Sequence, residues 1–155
     1  MAVYNDGTGV SLFIGGSVDL IRDASGLRNG KYLARWDGTT WSVFPQIGNG
    51  QGSGLTGIGT LVAVNSGPDA GLYAGGIVSF VDGNKKTLQG FARWDGTSFR
   101  SVGDFAAVFP PPSPFVPSLA GGVEGLAWVD SAAGPELYLA GTFYSEGGNV
   151  EDPAV

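Results

Sequence analysis

The sequence contains no cysteine and no histidine. That excludes disulfides, Cys/His zinc sites, haem and iron–sulfur ligation, thiol nucleophiles, histidine general bases and Ser-His-Asp triads. Charge is sparse, at 14% of residues, and unevenly placed. All eight Lys and Arg lie at or before Arg100, whereas residues 101–155 carry Asp104, Glu124, Asp130, Glu136, Glu146, Glu151 and Asp152 with no base. The net charge is −6 and the pI about 4.3. Such a surface repels phosphate backbones and anionic headgroups, so neither nucleic acid nor a membrane surface is an expected partner. No run of 18 apolar residues is present, which argues against a membrane-spanning helix. The opening MAVYNDGTG has no basic region and no long apolar core, and does not read as a signal peptide. No segment shows a 3.6-residue period over 11 or more residues, so almost no helix is predicted.

What is present is glycine, proline and apolar side chains. The 155 residues include 28 Gly and 9 Pro, yet 43% are hydrophobic and 12% aromatic. A disordered chain lacks that apolar content, and a collagen needs a three-residue glycine period. Many short strands joined by tight turns satisfy both numbers.

The chain repeats itself. LARWDGTTW (33–41) returns as FARWDGTSF (91–99), and LFIGGSV (12–18) as LYAGGIV (72–78) and again as LYLAGTF (137–143). A short apolar segment precedes each glycine-rich one: AVYN (2–5), VAVN (62–65) and AWVD (127–130). The order is constant: short strand, polar turn, Gly-Gly strand, loop, RWDG hairpin. The unit is about 60 residues long and occurs about two and a half times. Asp37-Gly38 and Asp95-Gly96, read as two-residue hairpin loops, place Trp36 opposite Thr39, Ala34 opposite Trp41, Trp94 opposite Thr97 and Ala92 opposite Phe99. Trp36 and Trp41 then share one sheet face, and Leu33, Arg35, Thr40 and Ser42 the other. Gly15-Gly16 and Gly75-Gly76 leave room for a neighbouring backbone, with Ala140-Gly141 in the third copy.

Four strands per unit at this spacing predict an all-β fold built of β-propeller blades, each burying its two faces against neighbours. The pattern LYxGG followed by ARWDGTxW resembles the kelch repeat of galactose-oxidase-like propellers. It is more similar still to glycine-rich repeats with an ARWDG[TS]xW core in large secreted bacterial proteins and fungal cortical marker proteins. The resemblance spans nearly the whole chain except the Pro-rich 109–118. It implies an extracellular or cell-surface setting and a fold that serves enzymes, lectins and scaffolds alike. The expected blades are 1–47, 60–103 and an incomplete 124–155, with 104–123 as a Pro-rich insertion whose FPPPSPFVP reads as a stiff polyproline-like segment. Two and a half blades do not close a ring of four to eight. The expectation is a partial propeller: a piece of a longer one, or copies that associate to complete a ring, or a short open array with atypical caps. Its partners are then further blades or other copies of itself, joined through open blade faces, with a glycan or protein as possible ligand.

No catalytic, cofactor or metal residues are assigned from sequence, and no ligand site. The polar pairs Arg35/Asp37 and Arg93/Asp95 lie at i and i+2, where they would share a strand face and jointly meet a ligand. Their recurrence favours a structural role instead: Asp opens the turn and Arg packs its stem across the sheet. Trp36, Trp41, Trp94 and Trp128 would stack on sugars or fill the cores between blades, the latter being the expected use of repeated aromatics. NDGTG (5–9), VDGN (81–84) and SEGGN (145–149) resemble calcium loops without the alternating oxygen ligands of an EF-hand, and read as turns. RWDGTTW also resembles the Asp-box of sialidase-like propellers, a fold element, though here Gly follows Asp directly. GNGQGSG and GIGTL (48–61) do not lead from a strand into a helix, so no phosphate loop is expected. Carboxylates and tyrosines for an enzyme exist in Glu124, Glu136, Asp104 and Tyr144, but only their placement decides whether a pair works across a glycosidic bond. The expected function is therefore a non-catalytic binding, adhesion or scaffolding segment, with a sugar-binding lectin or an enzyme fragment as alternatives. The residues expected to build the repeat are Gly15, Gly16, Arg35, Trp36, Asp37, Gly38, Trp41, Gly75, Gly76, Arg93, Trp94, Asp95, Gly96 and Phe99.

Overall fold

A computed structural model of the chain describes residues 1–18, 20–23, 26–49, 57–102, 122–132 and 134–141. They form an all-β structure with no helix among the described residues, and every strand pair is antiparallel. The first sheet is a meander of β1 (Ala2–Asn5), β2 (Val10–Gly15), β5 (Leu33–Trp36) and β6 (Trp41–Val43). A small hairpin, β3 (Leu20–Asp23) with β4 (Gly26–Asn29), is inserted between β2 and β5 and reaches β6, where the Trp41 amide donates to Asp23 Oδ2 at 2.8 Å. The second sheet repeats the meander with β8 (Gly57–Val64), β9 (Gly71–Val81), β10 (Thr87–Trp94) and β11 (Phe99–Arg100). β9 is long enough to carry two strands end to end along one edge: β8 pairs Gly71 to Ile77, and β7 (Ile47–Asn49) pairs Val78 to Phe80. The tail of the first unit is thus stitched into the second sheet. β12 (Val123–Ser131) and β13 (Gly134–Gly141) give the first two strands of a third unit.

The alternation of side chains sorts each sheet into two faces. On β9, Leu72, Ala74, Val78 and Phe80 join a core with Tyr4, Phe13 and Leu33 of the first sheet. Tyr73 points the other way, into a second core with Phe91, Val64, Val123 and, from the third unit, Leu126, Trp128, Leu137 and Leu139. The middle sheet is therefore covered on both faces, which is why β9 reads as a nearly unbroken apolar run rather than as an alternating one. Trp94 lies in the first core, edge to face with Phe44 at 5.1 Å and against Phe99 at 5.0 Å.

The RWDG hairpins differ from the two-residue reading. Trp36 faces Trp41 and Arg35 faces Ser42; Trp94 faces Phe99 and Arg93 faces Arg100. The loops are four residues long, Asp37–Thr40 and Asp95–Ser98, closed by Asp37 N–H to Thr40 O (3.3 Å) and Asp95 N–H to Ser98 O (3.2 Å). The carboxylate decides the length. Asp37 Oδ1 accepts the amides of both Thr39 and Thr40 at 2.8 Å, and Asp95 Oδ1 those of Thr97 (2.9 Å) and Ser98 (2.8 Å). Gly38 (φ 102°) and Gly96 (φ 101°) take the left-handed step this wrap requires. The shift is an even number of residues, so Trp36 and Trp41 still share a face, with ring centroids 5.2 Å apart. Thr40 falls in the turn rather than on the strand.

The glycine pairs serve two different contacts. A Cβ on Gly15 would sit 2.6 Å from Ile58 Cγ2, and one on Gly75 would sit 2.6 Å from Val123 Cγ1. The first glycine of each pair thus admits a side chain from the next sheet. A Cβ on Gly76 would run into the Gly57 carbonyl oxygen of its own sheet, and one on Gly141 into that of Gly122. Gly16 instead lends its carbonyl to the next sheet, accepting the Ile58 amide at 3.3 Å.

Candidate functional site

The polar residues of the repeat gather around the turns that join the first and second strands. In the first unit the turn Asn5–Gly9 is held by its own side chains. Asn5 Oδ1 accepts the Gly7 amide (3.1 Å), and Asp6 Oδ1 accepts the Thr8 amide (3.2 Å) and hydroxyl (2.7 Å). Arg35 does not pair with Asp37, which has left the strand to build its turn. It crosses the sheet to Asp6 Oδ2 (3.3 Å) and donates to Ser11 Oγ (3.0 Å) and Thr8 Oγ1. The Asp6 side chain is only 4% exposed. Arg93 repeats the move more loosely, 3.8 Å from Asp69 in the β8–β9 turn, while Asp95 takes Arg100 at 2.8 Å. The side-chain oxygens of NDGTG are thus spent on backbone amides, on the Thr8 hydroxyl and on Arg35. Asp82 in VDGN likewise accepts the amides of Asn84 (2.8 Å) and Lys86 (2.7 Å). SEGGN (145–149), the Pro-rich 109–118, Asp104 and Tyr144 lie outside the described residues.

These bonds set the acid response. The amides and hydroxyls of Thr40 and Thr39 hold the Asp37 carboxyl well below the ordinary aspartate range. For Asp95, partial burial opposes ionisation, but bonds from Arg100, Ser98 and Thr97 outweigh it and the net direction is again down. A carboxyl depressed on folding adds stability above the unfolded value, about 4 for aspartate, and loses it as pH falls through the folded value. Asp95→Asn is therefore expected to lower stability at pH 7 by roughly 1 kcal/mol, discounted for solvent. The gap to the unmodified chain should close as pH drops from 4 toward 2. Thermal melts across that range check it; a gap unchanged at pH 2 would show that charge is irrelevant to the turn.

Among the described residues, cavities of about 340 Å³ accompany this framework at two places. One is a backbone-lined notch where Gly16, Gly57, Gly59 and Gly76 converge beside Ile58, Ile77 and Val123. The other lies between the β8–β9 turn and the third unit, lined by Val64, Asn65, Pro68, Asp69, Trp128, Asp130 and Pro135 among others. Trp128 is half-buried there, against Tyr73 at 5.8 Å, and its Nε1 donates to Asp130 Oδ1 at 3.1 Å. An aromatic face beside two carboxylates and an amide is the chemistry of polyhydroxylated ligands. Sequence reasoning singled out Trp128 but not Asp130, two residues along the same strand, nor Asp69, which joins them only through the packing of the third unit on the second. No family model matches this chain, and no curated protein or solved structure shows significant similarity to it.

Proposed function

We propose that this chain is a segment of a kelch-like β-propeller at the cell surface or outside the cell, acting as a non-catalytic scaffold for binding or adhesion. One observation carries the reading. The same meander recurs, and each copy stacks on the next through equivalent positions, Gly15 against Ile58 and Gly75 against Val123. The polar pairs of the repeat, Arg35, Asp37, Arg93 and Asp95, are engaged in ion pairs and turns of their own sheets. A repeated feature used this way serves the blade.

A second reading, a sugar-binding module, is favoured by the cavity under Trp128. A glycan array run on the unmodified chain and on Trp128→Ala, beside a panel of chromogenic glycosides, separates the possibilities. The scaffold reading expects neither turnover nor glycan retention. Retention lost in Trp128→Ala would establish the sugar site, and turnover that follows the folded protein would overturn both.

A further inference from the structure

Each sheet has two unlike faces, and the interface between them is made twice inside the chain. On one face stand Phe13 and Tyr4 of the first sheet, 0% and 5% exposed, and Tyr73 and Val64 of the second, 2% and 7%. Their equivalents in the third unit are Tyr138 and Val129, by the alignment of LFIGG, LYAGG and LYLAG and of AVYN, VAVN and AWVD. These are 56% and 42% exposed. The opposite face shows the reverse. In the second sheet Leu61, Ala63, Trp94 and Phe99 pack into the first core. Their equivalents in the first sheet are Met1 and Val3, 87% and 55% exposed, and the half-buried pair Trp36 and Trp41. One molecule therefore displays, at opposite ends, the two halves of an interface it already forms internally.

We propose that a second copy of this chain docks head to tail, its Val129/Tyr138 face seated on the Met1/Val3/Trp36/Trp41 face of the first. The proposal rests on the stacked-sheet reading above, takes a second copy rather than further blades of one chain as what covers these faces, and adds the polarity. The internal contacts supply the register. Tyr73 packs on Trp128, and the residue of the first sheet equivalent to Trp128 is Val3, so Tyr138 should meet Val3 of the next copy. Such a contact joins different patches and does not use itself up, so successive copies form a ring or an open filament. The apolar character of both faces provides the drive.

The absence of native cysteine makes the test direct. Val3→Cys and Tyr138→Cys chains are prepared separately and oxidised alone and mixed. The mixed disulfide should exceed either symmetric dimer by about tenfold, and light scattering of the unmodified chain should show mass rising with concentration. Tyr138→Arg should push that rise to at least about tenfold higher concentration, with its thermal midpoint unchanged at dilutions where one chain stands alone. A mass of one chain at every concentration, symmetric dimers that match the mixed one, or indifference to Tyr138→Arg would each overturn the proposal. With cooperative melting intact, those results remove only the docking; loss of the stacked-sheet reading itself would appear at the buried equivalent, Tyr73.

Discussion

Replacing Tyr73 by alanine is expected to destabilise the fold by about 3–5 kcal/mol, the usual cost of truncating a buried aromatic side chain. Tyr73 is 2% exposed, stacks on Phe91 at 6.2 Å within its own sheet and meets Trp128 of the third unit in a tilted contact at 5.8 Å. Its hydroxyl donates to the Asp69 carbonyl at 2.8 Å, which anchors the β8–β9 turn. Truncation removes contacts on both sides of the second core and leaves that carbonyl without its donor. For a chain of this size the thermal midpoint should fall on the order of 10 °C. Tyr138→Ala is the internal comparison: the same residue type at the equivalent position, but 56% exposed. At dilutions where one chain stands alone it should change stability by no more than about 0.5 kcal/mol. Urea melts of both variants measure the difference. Equal losses would mean that the second and third units do not stack as described.

That contrast also shows what the sequence makes legible. Period-two alternation and the recurring motifs are local, so the strands, the meander order and the shared face of Trp36 and Trp41 could be read directly. The hairpin register could not, because its determinant is competition between two loop lengths that keep the same residues on the same face. The Asp37 and Asp95 carboxylates, each accepting two amides, decide it. The β3–β4 insertion was missed because LIRD and GLRN are short and bear no motif of their own. For Arg35 the residue type was informative but the partner was not. Its true counterpart, Asp6, is distant in sequence and is brought close only by pairing of β2 with both β1 and β5. The cavity under Trp128 depends on sheet-to-sheet packing and has no local signature. The small residues were visible as pairs, but their division of labour appears only when a methyl group is imagined on each.

That division predicts a second large effect, at Gly76. A Cβ there would overlap the Gly57 carbonyl oxygen and approach Ile58 Cα to 2.8 Å. Both are backbone atoms of the paired strand, so relief requires β8 to move away from β9 and break ladder bonds. Gly76→Ala should cost at least about 3 kcal/mol, the upper end for overpacking. At Gly75 the obstacle is a side chain, Val123 Cγ1 at 2.6 Å, and Gly75→Ala should cost about 1–3 kcal/mol. The two differ in whether a second substitution rescues them. Shortening Val123 to alanine removes Cγ1 but keeps Cβ, 2.8 Å away, so the rescue is partial: the Gly75→Ala/Val123→Ala pair should still cost less than the sum of its single changes. No side-chain change removes a carbonyl oxygen, so Gly76→Ala should be additive with Val123→Ala. Double-mutant cycles by denaturant melting decide the matter. Coupling at Gly76 as large as at Gly75 would mean that both glycines face the neighbouring sheet, and that close approach within a sheet is not what the second glycine protects.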